Sequence, residues 1–158
     1  MSFDQSINNT TSFAEILCKN TNNDIKNNII IRSIAREVRE WAEHRDQLEP
    51  FPTNDLGGMC AIASGRLWRK LTQSGIHATI HLAETIGYAH CYVVVDDYVL
   101  DVTATQFAEF RREPIVYIHT KEAEAFDYYN TTKVFNSSKQ LREYQKKMRW
   151  PVDQTCFE

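Results

Sequence analysis

No run in this chain of 158 residues approaches the roughly 18 apolar residues that a membrane-spanning helix needs. Its first residues, Met1-Ser2-Phe3-Asp4-Gln5, lack the basic and apolar regions of a secretory signal. A cytoplasm is therefore the expected compartment, with delivery by a route without a cleaved signal left open. A basic excess is missing too: the net charge is -3, whereas a general nucleic-acid binder carries a positive balance. The four cysteines, Cys18, Cys60, Cys91 and Cys156, contain no C-x-x-C pair, which argues against a structural zinc site. A reducing compartment would keep disulfides open, so free thiols are expected. Neither an internal repeat nor a second-domain linker is visible.

What is present is ordinary for a soluble globular protein: 42% hydrophobic and 25% charged residues, in a chain long enough to bury one core. Residues 1–28 hold seven of the ten asparagines and read as a partly ordered arm, with a possible short helix around 12–19. Residues 29–158 read as a single domain. Its first helix runs from Ile29 to about Gln47, with Ile31, Ile34, Val38 and Trp41 at helical spacing. Arg32, Arg36, Arg39, Glu40 and Glu43 are expected on the opposite, polar face. Pro50 and Pro52 end that helix. A second begins at Cys60, with a stripe of Ala63, Leu67 and Leu71 and Gly75 as its C-terminal signal.

Ile76 to Leu82 alternates as a strand with its even positions inward, and Glu84 to Ala89 reads as a loop. His90 to Val95 and Tyr98 to Val102 then form a hairpin about Asp96-Asp97. A further strand is expected over Pro114 to Ile118 and a short helix over 121–129. The last helix spans Ser138 to Trp150, with Leu141, Tyr144 and Met148 on its buried side.

The chemistry gathers around Gly57-Gly58-Met59-Cys60. A helix N-terminus carries partial positive charge and unpaired N–H groups, which favour a thiolate over a thiol. If the hairpin turn centres on Asp96-Asp97, Tyr92 faces Asp101 and His90 faces Thr103. His90 and Asp101 then share one face of the sheet as diagonal neighbours, roughly 7–8 Å apart at Cα. A three-residue turn would put Asp101 on the wrong side. An imidazole can take the proton of a nearby thiol, and a carboxylate on its far nitrogen fixes the tautomer. Cys91 points to the face opposite His90 and reads as core. His77 and His81 read as solvent-facing.

A Cys at a helix start, then a His on one strand and an Asp on the next, resembles the papain-like/transglutaminase-like cysteine superfamily. The likeness covers roughly Asn54 to Phe107 and rests on Gly58-Met59-Cys60-Ala61, His90 to Val95 and Leu100-Asp101-Val102-Thr103. It implies an α+β fold in which the nucleophile helix packs on an antiparallel sheet with flanking helices. It also implies Cys60 as nucleophile, His90 as base and Asp101 as orienting residue, with no cofactor and no metal. Papain-like enzymes place an oxyanion-hole Gln six residues before the nucleophile, where this chain has Asn54. Many relatives have Trp or Tyr after the cysteine, where this chain has Ala61.

The resulting expectation is a cysteine protease or protein deamidase acting on a protein or peptide substrate. Hydrolysis is preferred to cross-linking, because no amine-acceptor site is recognisable. Neither a nucleic acid nor a membrane is expected as partner, and the oligomeric state is open. Two rivals stand beside it. One is a non-catalytic module binding a partner through the basic last helix, with Lys139, Arg142, Lys146, Lys147 and Arg149. The other is a metal site made from Cys60, His90 and Asp101.

Overall fold

The computed structural model describes Ile25 and residues 28–150. The helix expected around 12–19 lies outside them. Helix α1, Ile29–Gln47, is capped by Asn28, whose side-chain oxygen accepts from the N–H groups of Ile30 and Ile31 at 3.0 and 3.1 Å. Ile31, Ile34, Ala35, Val38 and Ala42 form its buried stripe. Arg39 departs from expectation, for it is buried instead of facing solvent. Its Nη1 faces Val102 O at 3.0 Å, Thr105 Oγ1 at 2.9 Å and Pro114 O at 3.1 Å, so its charge is met by oxygen inside the fold.

Helix α2, Cys60–Gln73, presents Ala63, Leu67 and Leu71 to the core. It ends as its sequence requires. Gly75 takes φ +78 and lets the Ile76 N–H reach back to Leu71 O at 2.9 Å.

Five antiparallel strands form one sheet in the order β4-β3-β2-β1-β5. They are β1 (Thr79–Thr85), β2 (Tyr88–Val95), β3 (Tyr98–Asp101), β4 (Val116–His119) and β5 (Lys133–Phe135). The β2–β3 register pairs Val93 with Leu100 and Val95 with Tyr98 about an Asp96-Asp97 turn, as the sequence predicts. Asp96 takes φ +51, a conformation Asp tolerates better than most residues. The expected loop from Glu84 to Ala89 is mostly strand instead. Only Ile86 and Gly87 separate β1 from β2, and Gly87 at φ +100 permits the tight turn. Strand β5, three residues long, has no sequence signal because alternation needs more residues to stand out.

Helices α1, α2 and α4 (Ser138–Lys147) pack on one face of the sheet, against Ile80, Leu82, Cys91, Val93 and Leu100. The segment from Ala104 to Tyr129 covers the other, packing Phe110, Tyr128 and Tyr129 on Tyr92, Val94 and Val99. It includes a short helix α3, Thr120–Ala123, where a longer one was expected. Strand β2 is therefore buried on both faces from His90 onward, which is why its sequence is a continuous apolar run. In α4, Met148 is exposed although its spacing put it inside. The helix stops at Lys147, and Gln145 lies buried beside Leu141. No described helix is long and apolar enough to cross a membrane.

Candidate active site

The turn before Cys60 is held in an unusual shape. Asn54 and Leu56 take φ +61 and +65, and Gly58 takes φ +83. Left-handed backbone at a non-glycine residue is costly and persists only where surroundings enforce it. Two anchors do so. Leu56 is buried in the core, and the buried Asp46 carboxylate accepts from Thr53 N–H, Thr53 Oγ1 and Asn54 N–H at 3.3, 3.1 and 3.1 Å. The Asp55 side chain takes the Gly57 N–H at 2.9 Å. The turn delivers Cys60 to the first position of α2, where the cap residue Met59 makes no side-chain hydrogen bond. The first-turn N–H groups of α2 thus lack a side-chain cap and point toward the Cys60 end of the helix.

His90 and Asp101 meet as their register predicts. His90 Nε2 lies 2.7 Å from Asp101 Oδ2, and the imidazole is 0% exposed. The same carboxylate takes three further donors. Thr103 gives its N–H at 2.8 Å and its hydroxyl at 3.1 Å to Oδ1, and Tyr129 gives its hydroxyl at 2.8 Å to Oδ2. Burial opposes ionisation of Asp101, but the His90 ring and these donors outweigh it and hold the carboxyl below its usual range. Burial also pulls His90 down, while Asp101 and then Cys60 raise it to about 10.

Cys60 is 9% exposed and lies beside the Cys91 thiol and the His90 ring. The Cys91 thiol and then the His90 ring hold Cys60 well below its ordinary value, against the opposing effect of burial, and Cys60 Sγ lies 4.0 Å from Ala89 O. Cys91 is pushed the other way, by its interaction with Cys60 and then by burial. Both cysteines are free. With His90 Nε2 spent on Asp101, Nδ1 is the nitrogen left for the sulfur.

Asn54, the oxyanion candidate, does not reach this site. Asp46 draws its backbone to the end of α1, and its exposed side chain accepts from Gln47 Nε2 at 3.1 Å. Gln106 stands at the site instead, with Nε2 3.0 Å from Thr103 O and 3.4 Å from His90 Nδ1. Tyr129 and Gln106 were not expected at the site. A Tyr or Gln in a loop carries no sequence mark of its target. His81 is half-buried and not solvent-facing: its ring nitrogens meet Thr79 Oγ1 and Thr131 Oγ1, each at 2.9 Å.

Among the described residues, no group of three or more His, Cys, Asp or Glu side chains is arranged to hold a metal ion. A cavity of about 530 Å³ opens on Cys60 between α2, the β1–β2 turn and the end of α4. No family model, curated protein or solved structure matches this chain.

Proposed function

We propose that this protein is a thiol-dependent acyl-transfer hydrolase of papain-like/transglutaminase-like architecture, acting on a peptide or glutamine carboxamide of a protein substrate. The observation that carries the reading is the buried His90–Asp101 pair, 2.7 Å apart, next to a cysteine at an uncapped helix N-terminus. The opposite displacements of the Cys60 and His90 pKa values support a resting thiolate–imidazolium pair.

In this reading Cys60 Sγ attacks the carbonyl carbon and the carbonyl electron pair moves to oxygen. The Cys60 backbone N–H receives that oxyanion. Gln106, whose Nε2 lies 3.4 Å from His90 Nδ1, is the side-chain donor assigned to join it. One of its amide hydrogens is held by Thr103 O, and the other faces Nδ1, which cannot accept while His90 is protonated. Collapse breaks the C–N bond, and His90 gives its proton to the departing amine or ammonia. Water, deprotonated by His90, then cleaves the thioester and restores the thiolate.

Alkylation by iodoacetamide, measured at Cys60 across pH, tests the reading. A rate already at its plateau well below pH 8.5, and lost in His90→Ala, is expected. A profile centred near pH 8.5 and unchanged in that variant would refute it in favour of a binding module. Ammonia release against new N-termini then separates deamidation from proteolysis.

A further inference from the structure

We propose that the cavity opening on Cys60 receives a basic side chain of the substrate, with Glu84 as its counter-ion. The inference rests on Cys60 being the nucleophile and adds what the substrate carries beside the attacked carbonyl. Glu84 stands near the end of β1 and pairs with Ala89, which puts its carboxylate on the helix-covered face with Cys91. Cys60, Glu84, Tyr88, Cys91, Gln145 and Trp150 all line the cavity. Glu84 is the one Asp, Glu, Lys or Arg among the described residues of its lining.

That carboxylate is held in place but not neutralised. Tyr144 donates its hydroxyl to Oε1. No cation among the described residues forms an ion pair with Glu84, and the Lys133 ammonium lies over the Tyr144 ring, 5.2 Å from its centroid. Gln145 lines the same cavity. Gln145 is 3% exposed, and its Oε1 is buried without a hydrogen-bond partner.

Ammonium and guanidinium groups have only donors to offer, which suits a carboxylate. The rings of Tyr88 and Trp150 on the same cavity favour a cation over an anion. An anionic group would meet both Glu84 and the thiolate. The chemistry therefore selects a polypeptide with lysine or arginine beside the reacting carboxamide.

Two methanethiosulfonates of similar size test this without any substrate, one bearing 2-aminoethyl and the other 2-sulfonatoethyl. The Cys60 thiolate attacks the sulfenyl sulfur, a mixed disulfide forms and methanesulfinate leaves. Rates are read at Cys60 by peptide mapping, and the cationic-to-anionic ratio is divided by that of 2-mercaptoethanol. A normalised ratio of about tenfold is expected in the full chain. Glu84→Gln, which keeps an acceptor for Tyr144, should bring it near one, and Glu84→Lys should invert it.

An unchanged ratio in Glu84→Gln overturns the proposal. A second arm needs no variant: n-butylammonium should slow iodoacetamide labelling of Cys60 and butyrate should not, and equal protection by both also overturns it. The ratio compares two reagents on one thiolate at one pH, so the thiol pKa cancels. An ordinary Cys60 pKa would therefore defeat the catalytic reading and leave this charge preference standing, and the reverse holds equally.

Discussion

Gln106 separates two jobs that a residue touching His90 could have. If it only steadied the imidazole, its loss would alter thiolate formation and every reaction of Cys60 alike. An oxyanion donor acts only where a tetrahedral intermediate forms. Gln106→Ala should therefore slow acylation of Cys60 by p-nitrophenyl acetate by about 10²-fold. Alkylation by iodoacetamide, a direct displacement at carbon, should keep its rate. Equal losses in both reactions would return Gln106 to a structural role. Asp101 gives the complementary case. Asp101→Asn should reduce both rates, because it removes the charge that keeps His90 protonated and Cys60 ionised. The contrast also shows what was legible at this scale. Cys60, His90 and Asp101 could be placed because helix start and strand register fix where side chains go. Asn54 could not, because its location depends on Asp46, eight residues earlier and in another element.

At the scale of elements, α1 carries an unexpected burden. It supplies no group to the site, yet two of its polar side chains hold the segments that do. Asp46 shapes the turn before Cys60, and Arg39 ties Val102, Thr105 and Pro114 together just after the His90–Asp101 hairpin. Thr105 in turn donates to Asp55 O at 3.1 Å, joining the two segments directly. Arg39→Met keeps length and apolar packing but leaves these oxygens without their cation. A loss of about 3 kcal/mol in urea unfolding is expected, with a larger loss of Cys60 labelling selectivity than an equally destabilising core change would cause. A cost below about 1 kcal/mol would show that water takes the guanidinium's place. Helical spacing assigned Arg39 to solvent because periodicity sees only the helix's own axis. Burial of a charge there depends on oxygens that lie 63 to 75 residues away in sequence. The long helices and the hairpin were legible for the opposite reason, since their signals are local.

Over the whole molecule, the site imposes a particular dependence of stability on pH. His90 has its folded pKa raised from 6.5 to about 10, so its contribution is complete below pH 6.5 and is lost as pH rises toward 10. Cys60 has its folded pKa lowered from 9.0, so its contribution grows as pH climbs to 9 and is lost as pH falls through the depressed value. Between pH 6.5 and 9, and above the depressed Cys60 value, the unfolded chain holds the proton on Cys60 and the folded chain holds it on His90. The proton counts match, and these two groups leave stability flat across that window. Above 9 the unfolded thiols are ionised while folded His90 and Cys91 keep their protons, so stability falls. On the acid side, Asp101 sits below its usual value, and its contribution, complete above about pH 4, is lost as pH drops through the folded value. Cys60→Ala removes one half of the exchange but leaves Asp101 to hold His90 charged. Its unfolding free energy should begin to decline at about pH 6.5, by about 1.4 kcal/mol per pH unit, where the unsubstituted chain stays level. Urea titrations of both proteins at pH 6, 7.5 and 9 measure the difference. Parallel curves would mean that Cys60 and His90 do not share a proton, and the thiolate–imidazolium pair would fall with them.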